Sequence, residues 1–225
     1  MKVLEINNLK KRYFVPEKGH KTILDINNFS LEKSEQFVVR GRSGCGKSTF
    51  LNLIAGISQA DEGSIRIEDI ALHELNEAGR DQLRGQKIGY IFQSFHLLPG
   101  YTALENVILG MSFSNGVNIE FAKELLIKVG LEDRMAHMPG QLSVGQRQRV
   151  AVARALANKP CLVLADEPTA NLDSEMSLII IDLIRSLCSE REAALLLVTH
   201  DEVVIQQFQN IQSLEDMNQA FEVER

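Results

Sequence analysis

The sequence contains no tryptophan, three cysteines and five prolines, and it has no long hydrophobic run. Its longest uninterrupted apolar stretch, Ala193 to Val198, is far too short to span a bilayer. Any work at a membrane is therefore expected to go through a partner. The cysteines lack the paired spacing of a metal site, and the first residues lack the pattern of a secretory leader. Both features predict reduced thiols and a cytoplasmic protein.

An excess of positive charge is also missing. The formal net charge is -6, which argues against a nucleic-acid reader that depends on a basic face, so no nucleic-acid partner is expected. The 225 residues are 44% hydrophobic and 24% charged. This balance suits one large globular domain, or a domain that carries an inserted subdomain.

The most informative stretch that is present runs from Gly41 to Thr49 and fits the pattern G-x-x-x-x-G-K-[ST]. A short apolar strand pattern, Phe37 to Val39, precedes it, and a helical apolar pattern follows it and ends near Gly56. An ordinary glycine-rich turn before a helix is the alternative interpretation. Strand, loop and helix in this order favour a loop that binds the phosphates of a nucleoside triphosphate.

Each position of this phosphate loop has an expected role. Glycines let successive backbone N–H groups point into one concavity, and the helix that follows directs its positive end at the same place. Lys47 is expected to bind the outer phosphates, Ser48 to offer its hydroxyl to Mg²⁺, and Thr49 to donate to an inner phosphate. The backbone of the loop supplies the remaining predicted nucleotide contacts: Gly41, Ser43, Gly44, Cys45 and Gly46.

Polar side chains follow three other strand patterns. Asp166 and Glu167 end the apolar run Cys161 to Ala165, and the carboxyl ends of parallel strands face the ligand crevice. Asp166 is placed to bind Mg²⁺ and Glu167 to activate a water, although an acidic pair is otherwise a common surface turn. Gln93, at the end of its strand pattern, could reach the metal or the attacking water; the alternative is an ordinary solvated polar residue. His200, which in isolation would more often be structural, is placed to bond the γ-phosphate.

A second anion site is predicted at Leu142 to Gln146, where a strong helix begins. Ser143 and Gln146 form a capping-box pattern, so a well-made helix start is the simplest interpretation. A helix N-terminus with a serine hydroxyl and Gly145 also attracts a phosphate. Two phosphate sites far apart in one chain are useful if two chains share each nucleotide.

The remaining patterns predict an α/β fold with a mainly parallel core sheet flanked by helices. Strand patterns at residues 3–6 and 22–31, separated by a polar loop from Val15 to Lys21, predict an N-terminal antiparallel β subdomain. Helical periodicity at 103–109 and 121–129 predicts an inserted α-helical subdomain from about 94 to 150. The core would then comprise 1–93 and 151–225. A later helix is expected to bury one stripe of residues: Met176, Ile179, Ile180, Leu183, Ile184 and Leu187.

Together these motifs resemble the nucleotide-binding subunit of an ABC transporter over essentially the whole chain. The phosphate loop, the glutamine at 93, the signature at 142–146 and the acidic strand at 162–167 occur in the family's order. Residues 170–173 resemble the D-loop and 198–201 the histidine loop. The segments 92–99, 102–107 and 165–173 are most similar to the branch that contains lipoprotein-releasing and macrolide-export ATPases.

The resemblance implies an ABC-ATPase fold that binds ATP with Mg²⁺. It implies a head-to-tail homodimer in which the signature of one subunit closes over ATP held by the other, so Asp173 is also expected near the nucleotide. It assigns Tyr13, which alone would more often be a packing residue, to stacking on adenine. It further implies a separate integral membrane permease and a position on the inner face of the cell membrane.

Two positions depart from the family pattern. Val144 stands where the signature normally has its first glycine; valine costs little there if the backbone φ is negative, and weakens the closed dimer if φ is positive. Ser34 and Glu35 replace the usual glycine-containing turn before the central strand.

Two rival functions remain open at this point. A DNA-repair or chromosome ATPase shares these motifs, but it would insert a long coiled coil between Lys47 and Leu142, which only 95 residues of sequence (142 - 47) separate here. A regulatory or scaffolding subunit would use the same ATP switch on a membrane protein that moves no cargo.

Overall fold

The computed structural model describes residues 1–16, 19–112 and 116–221. Within that part of the chain the strands are β1 (Lys2–Val15), β2 (Gly19–Glu32), β3 (Gln36–Arg40), β4 (Glu62–Ile67), β5 (Ile70–Ala71), β6 (Ile88–Ile91), β7 (Leu162–Asp166), β8 (Ala194–Thr199) and β9 (Asn210–Ser213). The helices are α1 (Lys47–Ile54), α2 (Glu77–Lys87), α3 (Ala103–Met111), α4 (Ile119–Lys128), α5 (Val144–Ala155), α6 (Ser174–Glu190), α7 (Glu202–Ile205) and α8 (Leu214–Met217). None of the described helices is long and apolar enough to cross a bilayer.

The core is a parallel sheet in the order β6-β7-β8-β3-β9. Its central strands are buried on both faces, since helices cover each face of the sheet. Side chains alternate between the two faces along each strand. In β7, Leu162 and Leu164 pack in the cluster that contains α1, whereas Val163 and Ala165 pack in the cluster that contains α5 and α6. The predicted parallel α/β core with flanking helices is therefore confirmed.

A second sheet has the order β2-β1-β4-β5, and its paired strands are antiparallel. The predicted antiparallel unit is thus also confirmed, but two of its predicted lengths are wrong. The first strand, predicted at residues 3–6, is longer, and the loop, predicted from Val15 to Lys21, is shorter. Val15 pairs with Gly19, so the hairpin strands run almost to the turn. Polar residues near the turn, such as Arg12 and Thr22, pair across the two strands and lengthen the hairpin. The short apolar patterns did not indicate this extension. Glu17 and Lys18, within the predicted loop, lie outside the described residues.

The predicted helical insert is present as α3, α4 and α5, which pack against one another. The buried stripe predicted for α6 is partly wrong, because Ile179 is 43% exposed. The face that is buried lies one position further along the helix: Ser177, Ile180, Ile181, Ile184, Leu187 and Cys188. A run of consecutive apolar residues fits two neighbouring stripes, and only the contacts with the sheet and α5 select one of them.

Candidate functional site

The phosphate loop connects β3 to α1 and bends through glycines with left-handed backbone angles. Gly44 has φ 80° and Gly46 has φ 103°, values that L-residues with side chains rarely adopt. A Cβ on Gly46 would lie 3.2 Å from Leu24 of the antiparallel sheet. The loop therefore curls as its sequence predicts and opens into a cavity lined by residues 40–45 and His200.

Lys47 is the first residue of α1, and only 6% of it is exposed. Its ammonium donates to the carbonyl oxygens of Gly41 at 2.7 Å and Arg42 at 3.0 Å. It also lies 3.2 Å from Glu167 Oε1. One cation thus bridges the phosphate loop and the acidic end of β7, in a position to exchange these oxygens for those of a phosphate.

Asp166 is the last residue of β7 and is buried beside the phosphate loop. Burial raises the pKa of its carboxyl group, and a hydrogen bond with the Ser48 side chain opposes that rise. Its Oδ1 atom is buried without a hydrogen-bond partner. A buried carboxylate oxygen beside a hydroxyl is a donor set that suits Mg²⁺, which prefers oxygen ligands.

Glu167 follows β7 with φ 45°, a left-handed conformation that is rare for a residue with a side chain. Its Oε1 atom faces Lys47 and His200 Nδ1, the latter at 2.7 Å. Because a carboxylate only accepts, the His200 ring carries its proton on Nδ1 in this contact. Two predicted catalytic residues, which directly follow β7 and β8, are thus in direct contact at the carboxyl end of the sheet.

The other predicted residues lie apart from this cluster. Gln93 is exposed, and its backbone carbonyl accepts from Asn171 at 3.2 Å; none of the hydrogen bonds among the described residues joins its side chain to Asp166 or Ser48. Tyr13 is 42% exposed on the antiparallel sheet, where the Lys11 ammonium lies 5.3 Å from its ring centre. Asp173 caps α6 by accepting from the Met176 amide at 2.8 Å.

The signature residues form the start of α5. Ser143 and Gln146 make the predicted capping box, with bonds of 3.2 and 3.0 Å between side chain and backbone. Gly145 faces Met176, whose sulphur would lie 3.2 Å from an added Cβ. Val144 is the first helical residue, and helical φ is negative, so valine imposes no left-handed strain there. Within the described chain, no hydrogen bond or ion pair joins these residues to the phosphate loop.

Sequence reasoning missed two residues that contact the predicted site, Thr199 and Glu215, and a third, Ser213, that contacts Glu215. Thr199 donates to Glu167 Oε2 at 3.0 Å. Glu215, from α8, accepts from the backbone amide of Arg42 in the phosphate loop at 2.9 Å, and Ser213 donates to the same carboxylate at 3.1 Å. Thr199 is the last residue of a predicted strand and precedes His200, so its position at the strand end could have indicated it. No local pattern indicates Glu215, because its partner Arg42 lies near the other end of the sequence.

A phosphate loop after a parallel strand, with an acidic pair at the end of another strand of the same sheet, defines a P-loop nucleoside triphosphatase. The family model described as ABC transporter matches residues 24–170. The chain belongs to the ABC transporter family, in which it is an ATP-binding protein and an ATP hydrolase.

Similar proteins support the same assignment over most of the chain. The lipoprotein-releasing system ATP-binding protein LolD of Pseudomonas syringae pv. tomato is 42% identical over 218 residues, which cover 95% of each chain. The protein of that name from Treponema pallidum is 42% identical over 202 residues, 88% of this chain and 89% of its own. A dimeric post-hydrolysis structure of the ATP-binding cassette MJ0796 bound to ADP and Pi has a TM-score of 0.86 at 38% identity, covering 95% of this chain and 94% of that one.

Proposed function

We propose that this chain is the ATPase subunit of a lipoprotein-releasing ABC system. It acts on the inner face of the cell membrane through a separate permease, as a head-to-tail homodimer with ATP at the interface. The names of the two LolD relatives support the cargo class, and the dimeric MJ0796 structure supports the assembly. Residues 1–93 and 151–225 form its ATP-binding core, and residues 94–150 form its helical subdomain.

The contact of Glu167 Oε1 with Lys47 and His200 is the observation that carries the catalytic assignment. Lys47 and the loop amides hold the phosphates, which draws the ammonium away from Glu167. The freed Oε1 then accepts a proton from the attacking water, and His200 contacts the γ-phosphate. Burial of Glu167, 7% exposed, keeps bulk water from competing for this oxygen.

Mg²⁺ is proposed as the metal that accompanies ATP. Asp166, Ser48 and Gln93 are its proposed protein contacts, and the unpartnered Asp166 Oδ1 supports the first of these. Bound there, the ion neutralises charge on the phosphates. Tyr13 is proposed to stack on adenine, while Ser143, Gly145, Gln146 and Asp173 meet the nucleotide held by the other subunit. The negative φ of Val144 supports an unstrained signature in this role.

The two rival functions predict a different structure or a different binding partner. Between Lys47 and Leu142 the described helices α2, α3 and α4 have 11, 9 and 10 residues, which does not favour the coiled coil of a DNA-repair ATPase. A regulatory subunit would bind a membrane protein that moves no cargo. Co-purification with an integral membrane protein from cell membranes, followed by lipoprotein release from proteoliposomes on addition of ATP, separates these functions. ATP hydrolysis without lipoprotein release would contradict the proposed cargo.

The direct test of the site is Glu167→Gln. The amide keeps the shape of the side chain but no longer accepts the water's proton, so turnover is expected to fall by about 100-fold or more while ATP still binds. Phosphate release and an ATP titration measure the two effects on the same sample. Near wild-type hydrolysis by this variant would show that Glu167 is not the base.

A further inference from the structure

Thr199 is the last residue of β8 and its side chain is fully buried, with 0% exposed. Its hydroxyl oxygen accepts from the Asp201 backbone amide at 3.1 Å. Since that bond uses a lone pair, the hydroxyl proton is available to Glu167 Oε2, which lies 3.0 Å away. The direction of the hydrogen bond is therefore set: Thr199 donates and Glu167 accepts.

The two carboxylate oxygens of Glu167 have different surroundings. Oε2 accepts from Thr199 and, at 3.4 Å, from the His200 backbone amide. Oε1 faces Lys47 and the His200 ring, on the side of the phosphate loop. One oxygen is thus held by the protein, and the other is directed toward the place where phosphate is bound.

This carboxylate needs an anchor, because its backbone is in an unfavourable conformation. A left-handed residue with a side chain costs about 1–2 kcal/mol relative to its usual conformation. At Glu167, with φ 45°, the main chain makes two hydrogen bonds: its amide donates to the Val198 carbonyl at 3.0 Å, and its carbonyl accepts from the Ala170 amide at 3.2 Å. Neither bond fixes the carboxylate at the end of the side chain. β7 and β8 are paired up to Asp166 and Val198, so Thr199 is the next residue available to hold the side chain.

We propose that Thr199 is a positioning residue for ATP hydrolysis, which fixes Glu167 Oε2 so that Oε1 is the proton acceptor. The inference rests on the proposed role of Glu167 as general base. In the step itself the water oxygen bonds to the γ-phosphorus and its proton passes to Oε1. The bond to the β–γ bridging oxygen breaks with its electron pair leaving on ADP. Thr199 exchanges no proton and only orients the acceptor.

The test compares Thr199→Val with Thr199→Ser in the purified full-length chain. Valine keeps the branched shape but donates no hydrogen bond, so kcat is expected to fall by about 10- to 100-fold, the size of effect expected when a reacting group is misplaced. ATP affinity should stay within about threefold of wild type, because none of the side-chain hydrogen bonds among the described residues joins Thr199 to residues 41–49. Serine restores the donor and is expected to recover most of the lost kcat.

A double-mutant cycle with Glu167→Gln separates positioning from a general structural effect. If Thr199 acts through the carboxylate, adding Thr199→Val to Glu167→Gln lowers the residual single-turnover rate no further. The same fold-loss in both backgrounds, or wild-type kcat for Thr199→Val, would overturn the proposal. So would failure of serine to recover kcat, or loss of ATP affinity in both Thr199 variants. If the wild-type chain hydrolysed no ATP with Mg²⁺, the proposed function itself would fail instead.

Discussion

At the scale of single residues, Lys47 joins the phosphate loop to the acidic end of β7. Its ammonium contacts two loop carbonyls and the Glu167 carboxylate, and these oxygens stand where an anionic ligand would compete for the same charge. Binding of phosphate and release of Glu167 are therefore linked through one side chain. We therefore propose that Lys47 restrains the Glu167 carboxylate as well as binding ATP.

Lys47→Ala is expected to weaken ATP binding by about 10- to 100-fold, the value of a charge-assisted hydrogen bond of roughly 1.5–3 kcal/mol. An ATP titration by calorimetry or by a fluorescent nucleotide measures the change. Lys33→Ala is the matched control, because that lysine pairs with Glu192 on the surface and its side chain is 52% exposed. An unchanged titration for Lys47→Ala would contradict its assignment.

The turn before the central strand shows a cost of the missing glycine. Ser34 has φ 62°, so its backbone is in the left-handed region. The residue is exposed, and no burial offsets the strain. Ser34→Gly should raise the free energy of unfolding by about 0.5–1 kcal/mol, the strain relieved less the extra backbone entropy of glycine. Urea unfolding measures this change.

The same substitution at an exposed serine with a negative φ provides the control. Ser112 is the C-cap residue that follows α3, and its φ is -65°. There, Ser112→Gly relieves no strain and should lower the free energy of unfolding by up to about 1 kcal/mol. Equal effects at the two positions would contradict the explanation from backbone strain.

At the scale of elements, α5 holds the loop that follows Gln93. Phe95 and His96 have φ 58° and 48°, two consecutive left-handed residues with side chains. The Arg154 guanidinium, whose pKa is lowered by burial, donates to the His96 carbonyl at 2.5 Å and the Phe95 carbonyl at 2.6 Å. The helix that begins at the signature is thus joined to the segment after the proposed water or metal contact.

Arg154→Met is expected to lower the free energy of unfolding by about 1–3 kcal/mol, because it leaves these carbonyls without their charged donor. Amide exchange at residues 95–98 should speed up as the left-handed segment relaxes. Arg149→Met is the matched control: Arg149 also lies in α5, but it donates to the Val129 carbonyl, at 3.2 Å, next to α4. Its loss should leave exchange at 95–98 unchanged, and faster exchange there in both variants would rule out a specific effect of Arg154.

At the scale of the whole molecule, one chain carries both parts of the proposed nucleotide site. The phosphate loop cluster and the signature cap are each well formed, yet no hydrogen bond or ion pair within the described chain connects them. A second copy, arranged head to tail, would bring the signature of each chain to the phosphates of the other. The dimeric MJ0796 structures, with TM-scores of 0.86 and 0.85, support a dimer.

Glu167→Gln is therefore expected to form a dimer with ATP and Mg²⁺, because bound nucleotide is not consumed. Sedimentation velocity with ATP should show the doubled mass. Adding Lys47→Ala to the same chain should keep it monomeric, since less nucleotide is held. A Glu167→Gln chain that stays monomeric at saturating ATP and Mg²⁺, and also when bound to its permease, would exclude the shared-nucleotide mechanism.

Much of the site was predictable because its motifs are short. The phosphate loop, the acidic end of β7 and the helix start at Ser143 each depend on residues adjacent in sequence, so local pattern and strand position place them. The α6 face could not be predicted in the same way. Ile179 and Ile181 are equally apolar, and packing against the sheet decides which of them is buried.

The family, the order of the motifs and the parallel core could be read from the residues alone, because they follow from residue types at fixed local spacing. Three contacts became visible in the folded chain: Thr199 holds one oxygen of Glu167, Arg154 holds the carbonyls of Phe95 and His96, and Glu215 accepts from the phosphate loop. Each of these contacts joins segments far apart in the chain. Hydrogen bonds act over about 3 Å, so their partners are known only once the sheet has brought the strand ends together.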